Sequence, residues 1–256
     1  MNEECKNAFS LDDKVALVTG GATGLGFGIS TAMIAAGAQV VIVGRREDVL
    51  QEACRRLGTK SDYIRHDITD FPRAHDVIAE VVRRYGRLDI VVNDAGNQFK
   101  SKAEDATIED FQRQLDVHLT GAFAMTQAAL PELKRRDTSS VIFISSESGF
   151  MGLTFLAGYS ASKAGVMGLV RNLASEVSHT GIRFNAIVPG WIETPMFIQS
   201  MGKDVERQKK VLGRTPLNRF GTIMDIGWAA VYLASDASKF ITGTSIVVDG
   251  GALIGF

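Results

Sequence analysis

The sequence predicts an α/β fold, a single-domain doubly wound parallel sheet flanked by helices, and three observations predict it. Short runs of Val and Ile alternate with longer helical stretches along the whole chain. The runs lack polar alternation, as strands covered on both faces do. No low-complexity linker and no internal repeat interrupts the pattern, so residues 1–256 read as one domain.

Taken in order, Lys14 to Thr19 (KVALVT) is a buried strand that ends at a glycine-rich turn, and Leu25 to Ala36 is the helix after it, stopped by Gly37. Gln39 to Val43 is the second strand, Glu47 to Leu57 the second helix, and Asp62 to Arg65 a short third strand. Phe71 to Tyr85 reads as a helix and Leu88 to Val92 as the fourth strand. A long helical region from about Ile108 to Arg136 leads to the fifth strand, Ser140 to Ile144. Tyr159 to Ser178 is helical, Arg183 to Val188 is the sixth strand, Met224 to Ala234 a helix and Ser245 to Val248 the last strand. Right-handed crossovers between such strands distribute the helices over both faces.

Composition narrows the function. The formal net charge is −1 with no run of like charge, which argues against nucleic acid or a charged membrane surface as partner. No apolar run approaches the roughly 20 residues that span a bilayer. Cys5 and Cys54 are the only cysteines and stand in no metal-type or redox-type spacing, so no metal is expected and a reducing compartment is. The N-terminus is polar and acidic, unlike a secretory signal. The expected location is cytoplasmic.

The first strand runs into Thr19-Gly20-Gly21-Ala22-Thr23-Gly24-Leu25-Gly26. Glycines let a backbone turn tightly and approach a phosphate with no Cβ in the way. The helix that follows directs its amides and positive dipole end at the same point. Placed after a first strand and opening a first helix, this turn fits the pyrophosphate of a dinucleotide and makes the fold Rossmann-like. Gly20, Thr23, Gly24, Leu25 and Gly26 are the expected contacts. A turn that only connects is the alternative.

The candidate chemistry lies further on. Tyr159-Ser160-Ala161-Ser162-Lys163 places Tyr and Lys four apart, on one face of a helix. A free phenol titrates near 10, and an ammonium close by is expected to favour its phenolate and so make it a better acid–base. Ser146 stands thirteen residues before Tyr159, just past the fifth strand, where strand ends face a ligand crevice. The type of dinucleotide follows from Val43-Gly44-Arg45-Arg46. Gly44 stands where an acid would bond a ribose 2′-hydroxyl, and Arg45 follows it. A guanidinium clamps a phosphate with two parallel bonds. NADP(H) is therefore the expected cofactor, with Arg45 the main contact and Arg46 assisting. NAD(H), with two solvated arginines, stays open as the alternative.

The turn Thr-Gly-x3-Gly-x-Gly, followed by Ser-x13-Tyr-x3-Lys, resembles the short-chain dehydrogenase/reductase family, and the likeness extends over nearly the whole chain. Asn93-Asp94-Ala95-Gly96 is similar to the family's Asn-Asn-Ala-Gly, which implies that Asn93, Ala95 and Gly96 brace the sheet and line the cofactor site. Asp67-Ile68 resembles the pair that holds the adenine. Pro189-Gly190-Trp191-Ile192-Glu193-Thr194 resembles the segment against the nicotinamide carboxamide, which puts Pro189, Gly190, Ile192 and Thr194 in the cofactor set. The tail from Ile241-Thr242-Gly243 to Val248-Asp249-Gly250-Gly251 is similar to the family's last strand and turn. The resemblance also implies that Tyr159 exchanges a proton with the substrate oxygen, Ser146 orients it, and Lys163 tunes Tyr159 and reaches the nicotinamide ribose. Two positions depart. Asp94 replaces the second Asn, and His118, in Val117-His118-Leu119, stands where the family has the Asn that anchors a relay water. A histidine there is expected to bring a titration near 6.5 into the working range. A merely structural histidine is the alternative.

The expected activity is thus hydride exchange between a nicotinamide dinucleotide and a small-molecule carbonyl or secondary alcohol. The segment from Thr194 to about Leu212 is expected to be a substrate lid, 1–13 an N-terminal extension, and the assembly a homotetramer as the resemblance implies. The form of the turn, Phe9-Ser10-Leu11 and the ending Gly251-Ala252-Leu253-Ile254-Gly255-Phe256 resemble members that are gluconate 5-dehydrogenases. Two alternatives remain. One is a 3-oxoacyl-(acyl-carrier-protein) reductase; the other, of a different class, is a non-catalytic nucleotide sensor or scaffold.

Overall fold

The computed structural model describes residues 7–201 and 204–255. Cys5, half of the expected N-terminal extension, residues 202–203 of the expected lid and the final Phe256 lie outside the described residues. Seven strands form one parallel sheet in the order β3-β2-β1-β4-β5-β6-β7. They are β1 Val15–Thr19, β2 Gln39–Gly44, β3 Ser61–Arg65, β4 Ile90–Asn93, β5 Ser139–Ile144, β6 Ile182–Pro189 and β7 Ser245–Val248. The order reverses between β1 and β4, whose register pairs Thr19 with Asn93, and a crevice opens above their carboxyl ends.

The alternation within each strand explains why the runs carry no polar residues. Val15, Leu17, Val41, Val43, Val91, Val141 and Phe143 face one buried cluster. Ala16, Val18, Val40, Ile42, Val92, Ile142 and Ile144 face another. Both faces are dry, so both residue parities must be apolar. The helices that cover them are α1 Gly24–Ala35, α2 Glu47–Leu57, α3 Ala74–Tyr85, α4 Ile108–Leu115, α5 Gly121–Leu133, α6 Ala157–Val177, α7 Pro195–Met201, α8 Val205–Arg214 and α9 Ile223–Ala234. One charged pair sits at the base of the sheet. Asp89 is buried and accepts from the Val15 amide at 2.9 Å, while Arg87 grips it with two bonds of 2.8 and 2.7 Å.

Two helices differ from expectation. The long helical region expected from about Ile108 to Arg136 runs without interruption to Leu133, but a wide turn with i→i+5 bonding, Asp116–Thr120, separates α4 from α5 within it. The cause is close backbone contact: a Cβ on Gly121 would lie 2.8 Å from the carbonyl oxygen of Ile68. α7 and α8, both short, lie in the segment expected only as a lid. Elsewhere the ends shift by a few residues, and the start of the third helix is a 3₁₀ turn, Phe71–Arg73, before α3.

The closest helix contact joins α1 to α9. A Cβ on Gly28 would sit 2.5 Å from the Ile223 carbonyl oxygen, and one on Gly227 would sit 2.7 Å from that of Gly28. Cys54 is free and half-buried, and burial pushes its thiol pKa up. Among the described residues no helix is long and apolar enough to cross a membrane, and no group of three or more His, Cys, Asp or Glu side chains is placed to hold a metal.

Candidate active site

The floor of the crevice is the turn between β1 and α1. Gly20 and Gly24 have φ of +72° and +56°, which L side chains rarely adopt. Thr19 Oγ accepts from the amides of Asp94 and Ala95, each at 3.1 Å, and so ties the end of β1 to the end of β4. Thr23 precedes α1 with an extended backbone, and its hydroxyl does not cap the helix. Of the first-turn amides, that of Gly26 bonds the Asp94 carboxylate, and those of Gly24 and Leu25 are left to an outside acceptor.

Beyond the floor the crevice divides. One end is walled by Gly44, Arg45, Arg46, Leu50, Asp67 and Ile68. There an Arg45 guanidinium nitrogen lies 3.7 Å from an Asp67 carboxylate oxygen, with both side chains largely exposed. A pair so solvated is worth about 0–1 kcal/mol, so it yields readily to a competing anion. The other end holds Thr23, Gly24, Leu25, Asp94, His118, Ser146, Tyr159, Lys163 and the run Pro189, Gly190, Ile192 and Thr194. Ala95 and Gly96 line the crevice between them. Two members of the expected cofactor set do not line it. Asn93 is buried and donates to Thr126 on α5 at 3.0 Å, so its amide braces sheet to helix. Gly26 is buried, its amide bonds the Asp94 carboxylate, and a Cβ there would lie 2.4 Å from the Gly20 carbonyl oxygen.

The candidate catalytic side chains meet at that second end. Ser146 follows β5, accepts from the Ser148 amide at 3.2 Å, and shares a hydrogen bond with Tyr159. Lys163 is buried; its Nζ donates to the Ile144 carbonyl at 2.7 Å and lies 5.6 Å from the Tyr159 ring centroid. His118 stands edge-on to Tyr159, centroids 5.0 Å apart at 89°. Its Nε2 lies 2.7 Å from the Asn97 carbonyl oxygen and 3.4 Å from the Asn97 amide nitrogen; since a carbonyl can only accept, the shorter contact favours the tautomer with its proton on Nε2, in which the buried and unpartnered Nδ1 is an acceptor. The wide turn between α4 and α5 carries His118 into the crevice, and Gly96 lets it in: a Cβ on Gly96 would lie 2.4 Å from the imidazole.

The electrostatics correct two expectations. Tyr159 is pushed up to about 12: burial is the main cause, the Ser146 bond opposes it, and Asp94 and Glu147 add to it. The Lys163 ammonium, turned to Ile144, does not make the phenol acidic. His118 is pushed down to about 3 by burial and by the charge of Lys163, against the Asn97 bond. It stays neutral and brings no titration into the working range. Half-buried Asp94 and buried Lys163 act on each other: desolvation raises the carboxyl and lowers the ammonium, and their mutual attraction opposes both shifts.

A wider cleft opens from Ser146 and Tyr159 toward α7 and α8, walled by Glu147, Trp191, Phe197, Arg207, Lys210 and Arg214, with Lys100 opposite. Burial and the charge of Arg207 both push the Lys100 ammonium down, so two cations face each other here. Glu147 is 3% exposed, its Oε2 has no hydrogen-bond partner, and its pKa is pushed up to about 7, first by burial and then by Asp249, against Arg214. Sequence reasoning passed over Glu147. The available signal was an acid amid small residues at a strand end, Ser145-Ser146-Glu147-Ser148-Gly149.

Fold and site together define an oxidoreductase of the dinucleotide-crevice type. A family model described as Enoyl-(Acyl carrier protein) reductase matches residues 20–252. The 3-oxoacyl-(acyl-carrier-protein) reductase of Thermotoga maritima is 35% identical over 247 residues, which are 95% of this chain and 99% of the relative. The 2-dehydro-3-deoxy-D-gluconate 5-dehydrogenase of Bacillus subtilis is 36% identical over 249 residues, 96% of this chain and 97% of the relative. The structure of a gluconate 5-dehydrogenase from Burkholderia cenocepacia, in complex with NADP and tartrate, has a TM-score of 0.93 and is 29% identical, covering 98% of this chain and 100% of that one. The chain belongs to the short-chain dehydrogenase/reductase family and is an enzyme acting on a CH–OH group.

Proposed function

We propose that the chain is an NADP(H)-dependent oxidoreductase that interconverts a ketone and a secondary alcohol on an anionic substrate of the sugar-acid type, as between 5-ketogluconate and gluconate. The observation that carries this reading is the meeting of Ser146, Tyr159 and Lys163 at one end of the crevice, beside a cleft edged by cations. The crevice fits a dinucleotide because its floor is uncapped helix amide, with Gly24 at positive φ and open to it.

The bound nicotinamide would supply or accept the hydride. For reduction, the Tyr159 phenol, held protonated at neutral pH, gives its proton to the substrate oxygen. The Ser146 hydroxyl, whose oxygen is engaged by the Ser148 amide, turns its hydrogen to the same oxygen. Lys163, anchored on Ile144, is left with two donors for a ribose hydroxyl and a water. His118 Nδ1 is an acceptor suited to hold that water, so His118 is a relay anchor without being a titrating base.

The absence of an acid at Gly44 and the guanidinium of Arg45 support NADP(H), and the Burkholderia structure carries NADP in its own site. Comparing kcat/KM for NADPH and NADH tests this; a preference for NADH removes it. Lys100, Arg207, Lys210 and Arg214 outnumber by one the acids that line the same cleft, Glu147, Asp204 and Glu206, and this small excess supports an anionic substrate. They suit the acidic carrier of a 3-oxoacyl substrate as well, which keeps that second reading. NADPH oxidation with 5-ketogluconate against acetoacetyl thioester separates the two. Residues 194–212, which include α7 and most of α8, form the lid in this proposal. A homotetramer belongs to it too, with Ile108, Phe111 and Phe123 exposed on α4 and α5 as apolar surface to cover. A monomeric mass by light scattering would remove the tetramer.

A further inference from the structure

We propose that Glu147 is a substrate-reading residue that accepts a hydrogen bond from a hydroxyl on the carbon next to the reacting carbonyl, so that the enzyme selects α-hydroxy ketones and vicinal diols. The inference rests on the placing of Ser146 and Tyr159 at the reacting oxygen, and it narrows the substrate class that this placing serves.

Three observations carry it. Glu147 follows Ser146 directly and lines the same cleft, and its carboxyl is near enough to Tyr159 for its charge to raise the phenol's pKa. It is 3% exposed, and its Oε2 is a buried acceptor with no partner. A buried acceptor left unpaired costs about 1–3 kcal/mol, and a donor brought by a ligand recovers it. Finally, the groups around it select the kind of ligand. Asp249 lies behind Glu147, engaged with the amides of Gly251 and Leu253 at 2.7 Å each. Arg214 attracts Glu147 from the end of α8, while its Nε is held by the Ala252 carbonyl at 3.1 Å. Two neighbouring carboxyls repel a substrate carboxylate and welcome a hydroxyl. The carboxylate of a sugar acid is left to Lys100 and Arg207, two cations of the same cleft close enough to repel each other. A site that pairs its buried polar groups with a substrate hydroxyl discriminates strongly against the analogue that lacks it.

The test compares acetoin, 2-butanone and 3-methoxy-2-butanone as ketones with NADPH. Wild-type kcat/KM for acetoin should exceed that for 2-butanone by at least about tenfold, and on the order of a hundredfold where the hydroxyl is fully buried. Above about pH 8, where the Glu147 carboxyl is ionised and cannot donate, the methoxy ketone, with no hydrogen of its own, should fall to the level of 2-butanone. Glu147→Met should bring the acetoin to 2-butanone ratio near one, chiefly through KM for acetoin, with NADPH binding by fluorescence unchanged. Glu147→Gln, which keeps an acceptor oxygen, should restore part of the ratio. A wild-type ratio near one, no turnover of acetoin, a methoxy ketone as good as acetoin above about pH 8, or a ratio unchanged in Glu147→Met overturns the proposal. Because the methoxy comparison uses wild-type enzyme alone, a variant that fails to fold does not rescue it. Acetoin reduction surviving in Tyr159→Phe would instead remove the catalytic reading beneath it.

Discussion

At the scale of the residue, environment decides what each group can do. A phenol held near 12 is a ready proton donor and a poor base at neutrality. Deprotonation of Tyr159 should therefore take nothing from kcat for ketone reduction up to about pH 8, while alcohol oxidation should climb as pH rises into the alkaline range. Steady-state profiles in both directions check this, and an oxidation rate level from pH 6 to 10 would contradict it. Replacing Tyr159 by Phe should lower kcat by about 10²–10⁴-fold with little change in dinucleotide affinity. His118 makes a separate prediction. Its Nδ1 is an acceptor with no proton to trade, so His118→Asn should keep much of the rate, whereas His118→Ala should lower it about tenfold or more with no shift in the pH profile. Equal rates in both variants would show that the imidazole only fills space. The catalytic spacing was legible because helix geometry alone puts Tyr159 and Lys163 on one face. Their electrostatics were not, since the direction of Lys163 Nζ and the depth of Tyr159 arise from tertiary packing.

At the scale of the element, every predicted strand is present: the central ones were legible as apolar runs covered on both faces, while β3, with Ser61, Asp62 and Arg65, is a half-exposed edge strand. The glycine turn was equally readable, since Gly20 and Gly24 serve backbone angles that side chains rarely take. The wide turn at Asp116–Thr120 left no periodic trace: it depends on how close α5 comes to Ile68, a contact between parts of the chain far apart in sequence. The short helices α7 and α8 escaped for a related reason, as seven and ten residues give little room for a period to emerge. The resemblance implies that Asn93 both braces the sheet and lines the crevice; its amide does brace central β4 to α5 through Thr126, and that bond draws it away from the crevice. The α1–α9 contact yields a prediction of its own. A Cβ on Gly227 meets Gly28 backbone and Ala32, so Gly227→Ala should destabilise the fold by about 1–3 kcal/mol. For a domain of this size that is roughly 2–4 °C in Tm per kcal/mol, readable by calorimetry. An unchanged Tm would mean that the two helices separate at no cost.

At the scale of the whole molecule, stability and function pull against each other at Glu147. Its folded pKa of about 7 lies above the ordinary glutamate value of 4.5. The folded chain thus holds that proton more tightly than the unfolded chain, an advantage complete below about pH 4.5 and lost as pH rises through 7. Glu147→Gln should therefore gain stability relative to wild type between pH 5 and 8, by at most about 3 kcal/mol, and its Tm should rise accordingly. Melting curves across that range check the sign, and a difference that shrinks with pH would contradict it. The meeting of Gly28 with Gly227 has one more consequence, for how the chain is made. The face of α1 that α9 covers emerges from the ribosome about 200 residues before its cover, roughly 10–40 s at ordinary synthesis rates of about 5–20 residues per second. During that interval the newborn protein carries an open apolar flank, the kind of surface that holdase chaperones shield. Release of a chain stopped at residue 222 should accordingly give aggregates, where the full-length product stays dispersed.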